Sequence, residues 1–134
     1  MRETAAPPYA TPTRAEQIAV LKAGLPIAFF DGLCAELEIT AQEMASVLNI
    51  APRTLARRKK EGRLQTAESE RLYRLGVLFE RAVVVLGTAE EACTWFKKPA
   101  RALDDATPLH FADTEPGARE VEDLLGRLEH GVFS

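Results

Sequence analysis

Two histidines, one tryptophan and two cysteines are all that this 134-residue sequence holds of several residue types much used in reactive centres. His110 and His130 stand alone and read as helix-end or surface residues. Cys34 and Cys93 lie far apart, outside any Cys-x-x-Cys pair and without a nearby histidine. They are expected to be buried apolar thiols, not metal ligands or a disulfide. The chain has no glycine-rich phosphate loop, no Ser-His-Asp constellation and no His-Glu-x-x-His. Acid pairs such as Asp104 and Asp105 do acid–base work only in a pocket, and the pattern suggests none. The expectation is a protein that is no enzyme and uses no cofactor and no metal. No apolar run approaches the roughly 18 residues of a membrane span, and the start lacks a basic-then-apolar signal pattern. A cytoplasmic protein with no membrane partner is expected.

What is present is a sequence that is 46% hydrophobic and 28% charged, enough for one domain or two very small ones with a modest core. The formal net charge of −3 hides an uneven distribution. Residues 1–50 sum to −3, 51–64 to +5, 65–103 to +1 and 104–134 to −6. Two readings stand: an anionic partner at one end and a different partner at the other, or two solvated faces.

The periodicity predicts an all-α chain. Residues 1–13 hold Pro7, Pro8 and Pro12 among small and polar residues and read as a flexible arm. A first helix from Arg14 carries Ile18, Val20 and Leu21 and stops at Gly24. A second, Pro26 to Glu38, puts Ile27, Phe30, Leu33, Cys34 and Leu37 on one face. Both read as core-forming. Thr40-Ala-Gln-Glu43 is a capping-box pattern, opening a short helix that ends at Asn49, a residue tolerant of left-handed backbone. Pro52 then starts another helix where no N–H is needed. Two helices joined by Asn49-Ile50-Ala51 have the outline of a helix-turn-helix.

The second of these helices carries Arg53, Arg57, Arg58, Lys59 and Lys60, with Arg63 just beyond, against one acid, Glu61. Leu55 faces the core, while Arg53, Arg57 and Lys60 recur on the opposite face. The residues expected to meet DNA are Arg53, Thr54, Arg57, Arg58 and Lys60, with Arg53 and Thr54 placed near base edges. A solvated basic helix, or one buried in a subunit contact, remains an alternative.

Thr66 is expected to cap a long helix, about Ala67 to Leu86, with a seam of Leu72, Leu75, Phe79, Ala82 and Leu86 and a stop at Gly87. Thr88-Ala-Glu-Glu91 repeats the capping signature before a helix ending in Trp95-Phe96, with Trp95 the expected anchor of the domain. An irregular stretch follows through Asp105. Thr107 and Thr114 are placed to cap two further helices. In the last one Val121, Leu124, Leu125 and Leu128 share an apolar face, as core or as interface, and its acids cluster toward the N-terminal half.

From Thr107 to Gly131 the chain resembles the toxin-binding domain of the Xre/MbcA/ParS antitoxins, in Thr107, Pro108, Leu109, Thr114, Gly117, Val121, Leu124, Leu125 and Gly131. Pro52-Arg-Thr-Leu-x-Arg-Arg and Trp95 also resemble the family, so the likeness covers nearly everything after residue 14. Phe111 and Ala112 stand where two leucines are usual, and Ala51 replaces a common serine cap. The resemblance implies a helix-turn-helix DNA-binding and dimerisation domain over residues 14–65, then a linking helix and toxin-binding domain over 66–134. It also implies an antitoxin that covers the active-site cleft of a RES-domain, NAD-consuming toxin, dimerises, and represses its own operon by binding operator DNA. Glu115, Arg119 and Glu122 on the polar face of the last helix are expected to contact the toxin, with Val132, Phe133 and the Ser134 carboxylate plugging or flanking its cleft. A stand-alone helix-turn-helix regulator is the alternative function, and a helical scaffold that binds no DNA is a third.

Overall fold

A computed structural model describes residues 13–131. Of the expected flexible arm only Thr13 is among them, and Val132, Phe133 and Ser134 lie outside them.

The described residues fold as eight α-helices with short connections. Helix α1 (Arg14–Ala23) begins where the Thr13 hydroxyl accepts from the Glu16 N–H and ends at Gly24. It contributes no fully buried residue, and Ile18 is 47% exposed. The expectation that α1 forms core is corrected accordingly: Val20 and Leu21 only lean on the core from outside. Helix α2 (Ile27–Leu37) does form core, burying Phe30, Leu33, Cys34 and Leu37, and reverses through Glu38 in left-handed backbone. Complete burial of each large apolar side chain there contributes roughly 1.5–3 kcal/mol.

Helix α3 (Ala41–Val47) is capped by Thr40, which accepts from the Glu43 N–H at 3.0 Å. Asn49 takes φ 62° in the turn, and the buried Ile50 donates its N–H back to the Ala45 carbonyl at 2.8 Å. Helix α4 (Pro52–Glu61) starts with Pro52 in its first turn and no side-chain cap at Ala51, and it stops at left-handed Gly62.

Helix α5 (Thr66–Leu86) is the spine, about 30 Å long at 1.5 Å per residue. Its cap is Gln65, not Thr66. Gln65 and Glu68 close a reciprocal capping box, while the Thr66 hydroxyl donates to the Lys22 carbonyl. A glutamine at the cap position hides this box from the usual Ser/Thr pattern. The expected seam holds for Leu72, Leu75, Phe79 and Ala82, which are buried; Leu86 is only partly so.

Helix α6 (Ala89–Phe96) is capped by Thr88. Its anchor is Phe96, fully buried and 6.0 Å from the Phe79 ring, with the partly buried Trp95 edge-on to it at 5.2 Å. The anchor role expected of Trp95 therefore falls to its neighbour, because α6 turns position 96 toward α5. A 3-10 turn (Arg101–Leu103) follows, and Asp104 and Asp105 take successive left-handed conformations so that the Ala100 N–H reaches the Ala106 carbonyl at 3.0 Å. Helix α7 (Pro108–Phe111) is capped by Thr107 and helix α8 (Glu115–Glu129) by Thr114. Buried residues from α2 through α8 join one apolar cluster. Both cysteines are free and buried; Cys34 is pushed up to about 11 by burial and by Asp31, and Cys93 Sγ donates to the Leu37 carbonyl at 3.2 Å. Among the described residues no helix is long and apolar enough to cross a membrane.

Candidate functional site

Two surfaces carry the residues that sequence reasoning singled out, and α5 connects them. The first is the outer face of α4. Arg53, Arg57 and Lys60 are exposed there, Thr54 is partly buried, and the three cations hold no ion pair among the described residues. Lys59 is turned aside toward α2, 3.5 Å from Asp31 and 5.9 Å from the Phe30 ring centroid.

Arg58 departs from the expectation that it meets DNA. It is 5% exposed, and its Nε donates to Glu68 at 2.8 Å while Nη1 donates to Glu61 at 3.3 Å. The hydrogen bond to Glu68 outweighs burial and holds the guanidinium charged. Burial pushes the Glu68 carboxyl up, but the bonds from Arg58 and the Gln65 N–H outweigh it, so the group lies below the usual range. A guanidinium committed this way is unavailable to a phosphate. It instead fixes α4 against α5. Helical spacing hints at this, since Arg58 lies three residues after Leu55 and shares its buried side.

The frame around α4 is tied by hydrogen bonds to the segments beside it. Ile27 donates its N–H to the Gly62 carbonyl at 3.0 Å and Leu64 to the Leu25 carbonyl at 2.9 Å, so the exit of α4 is stitched to the α1–α2 turn. The Leu25 N–H donates to buried Ser69 at 2.8 Å. Gly24 sits in this seam with φ 89°, and a Cβ there would fall 2.1 Å from the Leu64 carbonyl oxygen. From α5, Arg71 Nε donates to the Leu48 carbonyl at 2.6 Å, taking up an end carbonyl of α3.

The second surface is the flank of α8 and the groove between it and α5, with a volume of about 510 Å³. The structure brings Glu115, Arg119 and Glu122 together on one wall of that groove. All three are exposed, and Arg119 pairs with Glu115 one turn away at 3.1 Å, a surface pair worth less than about 1 kcal/mol. The facing wall, from α5, holds Arg74, Val77 and Arg81. Sequence reasoning missed these three; their signal is the seven-residue spacing of Arg74 and Arg81 on a helix otherwise read only for its apolar seam. Arg81 also reaches Glu129 of α8 at 2.9 Å.

The residues that make Thr107–Gly131 recognisable are architectural. Thr107 accepts from the His110 N–H at 3.2 Å, and Leu109, Val121 and Leu125 are buried. Thr114 accepts from the Gly117 N–H at 3.1 Å. A Cβ on Gly117 would sit 1.8 Å from the Phe111 carbonyl oxygen. The Thr-x-x-Gly spacing thus couples a cap to a close approach of α7 and α8. Val121 is core, while Leu124 and Leu128 are partly buried. Among the described residues no group of three or more His, Cys, Asp or Glu is placed to hold a metal ion.

With this geometry in place, comparison with known proteins gives two family matches. Residues 81–131 match the Antitoxin Xre/MbcA/ParS C-terminal toxin-binding domain, and residues 16–76 match the Antitoxin Xre-like helix-turn-helix domain. Three relatives each carry the name Antitoxin Xre. That of Yersinia enterocolitica serotype O:8 / biotype 1B is 37% identical over 116 residues, covering 85% of this chain and 78% of its own. That of Photorhabdus laumondii subsp. laumondii is 33% identical over 118 residues, 87% of this chain and 80% of its own. That of Pseudomonas putida is 32% identical over 80 residues, 59% of this chain and 50% of its own.

Proposed function

The chain belongs to the Xre/MbcA/ParS antitoxin family, and from that premise we propose that it binds and neutralises a RES-domain toxin that consumes NAD, by degrading it or by transferring ADP-ribose to a protein. The antitoxin covers the toxin's active-site cleft. It works in the cytoplasm as a homodimer within a larger toxin–antitoxin complex and represses its own operon through α4. The helix-turn-helix unit is assigned to residues 14–65 and the linking helix and toxin-binding unit to 66–134.

One observation carries the toxin contact. Glu115, Arg119 and Glu122 stand exposed on α8, inside the stretch matched as a toxin-binding domain, while the signature residues around them are spent on caps and core. The face they occupy is therefore free for a partner. The net −6 of residues 104–134 complements a basic pocket built for the phosphates of a dinucleotide, and such matching speeds encounter and selects the partner. Val132, Phe133 and Ser134, which follow α8 in the sequence, are assigned to the toxin's cleft. Arg53, Thr54, Arg57 and Lys60 are assigned to operator DNA, with Arg58 as their internal brace.

Co-expression with the protein encoded in the adjacent reading frame, scored by cell survival and cellular NAD, tests this. Survival with NAD maintained is expected, and weaker protection from a chain lacking residues 131–134. Absence of a RES-type neighbour, together with no protection, would sink the toxin reading and leave a stand-alone regulator. Full protection by the truncated chain would remove the tail from the cleft.

A further inference from the structure

The wall of the groove that α8 does not supply holds two guanidinium groups with unmet hydrogen-bonding capacity. Arg74 and Arg81 lie two turns apart on α5 and so face the same way. The Nε of each is buried and has no hydrogen-bond partner among the described residues. A buried N–H on a charged group loses its water without return unless an acceptor is supplied. Both side chains line one groove, so one incoming group can meet both.

Between the cations runs an apolar strip of Leu21 from α1, Val77 and Leu78 from α5 and Ala118 from α8. Val77 is 40% exposed, and Ile18, one turn before Leu21 on α1, extends the strip outward. Three carboxylates, Glu70, Glu115 and Glu122, also line the groove. They repel a nucleic-acid backbone, whose charge is continuous, and tolerate a protein segment bearing a single acid among apolar side chains.

The geometry points to this groove as the docking site for a segment of the toxin that sets an Asp or Glu carboxylate between Arg74 and Arg81 and lays apolar side chains on the Leu21–Val77–Ala118 strip. This rests on the reading of the chain as a toxin inhibitor and extends it. Leu21 and Arg74 lie in the stretch matched as the helix-turn-helix domain and Val77 one residue beyond it, all outside the stretch matched as toxin-binding. The toxin contact therefore reaches beyond the stretch matched as toxin-binding into the one matched as helix-turn-helix, and continuity with Glu115, Arg119 and Glu122 on the opposite wall favours the toxin as occupant.

The test is the affinity of the full chain for the purified protein encoded by the adjacent reading frame, measured by titration calorimetry with folding checked by thermal melts. Arg74→Ala is expected to weaken binding about thirtyfold or more, as truncating one partner of a buried charged contact does. Arg74→Lys, which keeps the charge and loses the fork, is expected to fall between. Val77→Asp, at a position 40% exposed, is expected to weaken binding while the chain stays folded, and it decides the matter if the Arg74 variants fold poorly. Gln42→Ala, at an exposed α3 position outside the groove, is expected to bind as the parent does. Parent-like affinity in a folded Arg74→Ala or Val77→Asp chain overturns the groove and leaves the α8 contact standing. No binding by the parent chain overturns the toxin reading and the groove with it. Toxin affinity kept while the chain's own mass in solution halves assigns the groove to a second copy, and affinity kept while promoter binding falls assigns it to DNA; either overturns the proposal.

Discussion

One oxygen, Glu68 Oε1, accepts from Arg58 Nε at 2.8 Å and from the Gln65 N–H at 2.9 Å, and so joins the brace of α4 to the cap of α5. The carboxyl is held below its ordinary 4.5. A group with a lowered folded value contributes stability that is fully present above its unfolded value and is lost as pH falls through the folded one. Glu68→Gln is therefore expected to cost about 3 kcal/mol at neutral pH, the low end for breaking a buried pair, since Glu61 still faces Arg58. The gap between variant and parent should narrow as pH is taken from neutral to acid, below the carboxyl's ordinary 4.5, and close once the folded carboxyl is protonated. Urea melts at the two pH values check both points, and a gap that persists in acid would remove Glu68 as the titrating group. Gly117 makes a second residue-scale case. With a Cβ 1.8 Å from a backbone oxygen, Gly117→Ala is expected to destabilise by about 3 kcal/mol. Gly126→Ala, whose nearest new neighbour is the Arg81 guanidinium at 3.7 Å, is expected to be neutral or to stabilise by about 0.5–1 kcal/mol. Thermal melts of the two variants side by side separate a steric requirement from helix propensity.

At the scale of elements, α4 divides its cations between two tasks. Leu55 and Arg58 face inward, and Arg53, Arg57 and Lys60 face out. If the outer face grips phosphates, Arg57→Ala should lower the slope of log affinity against log salt for promoter DNA by about 0.9. Arg58→Met should leave that slope unchanged while lowering thermal stability. Equal slopes for the parent and Arg57→Ala would take Arg57 out of the contact. Most helix starts were legible because a cap is a local bond: Thr40, Thr88, Thr107 and Thr114 each accept from the N–H three residues on. The start of α5 lies one residue before the expected one because two polar residues, Gln65 and Thr66, compete for the cap position. Only tertiary contact assigned Thr66 to Lys22.

Across the whole molecule, α5 ties its first turn to α4 through Glu68 and its fifth to α8 through Arg81, about 20 Å apart at 1.5 Å per residue. One apolar cluster includes Phe30 and Leu33 of α2 with Phe96 of α6 and Leu125 of α8. The two units assigned on either side of residue 65 are therefore expected to unfold together. Far-UV circular dichroism and the fluorescence of Trp95, the one tryptophan, should give coincident urea transitions; an earlier Trp95 transition would mean that the C-terminal unit melts alone. Helix content, caps, the left-handed turn at Asn49 and the apolar face of α8 were determined by the sequence, because each depends on bonds or periodicities spanning a few residues. That α1 stays at the surface, that Arg58 turns inward to Glu68, that Phe96 displaces Trp95 as the anchor and that Arg74 and Arg81 face Glu115, Arg119 and Glu122 across a groove were decided by the tertiary structure alone. Those outcomes depend on which helices meet, and residues far apart in the chain acquire a common environment only when α5 packs between them.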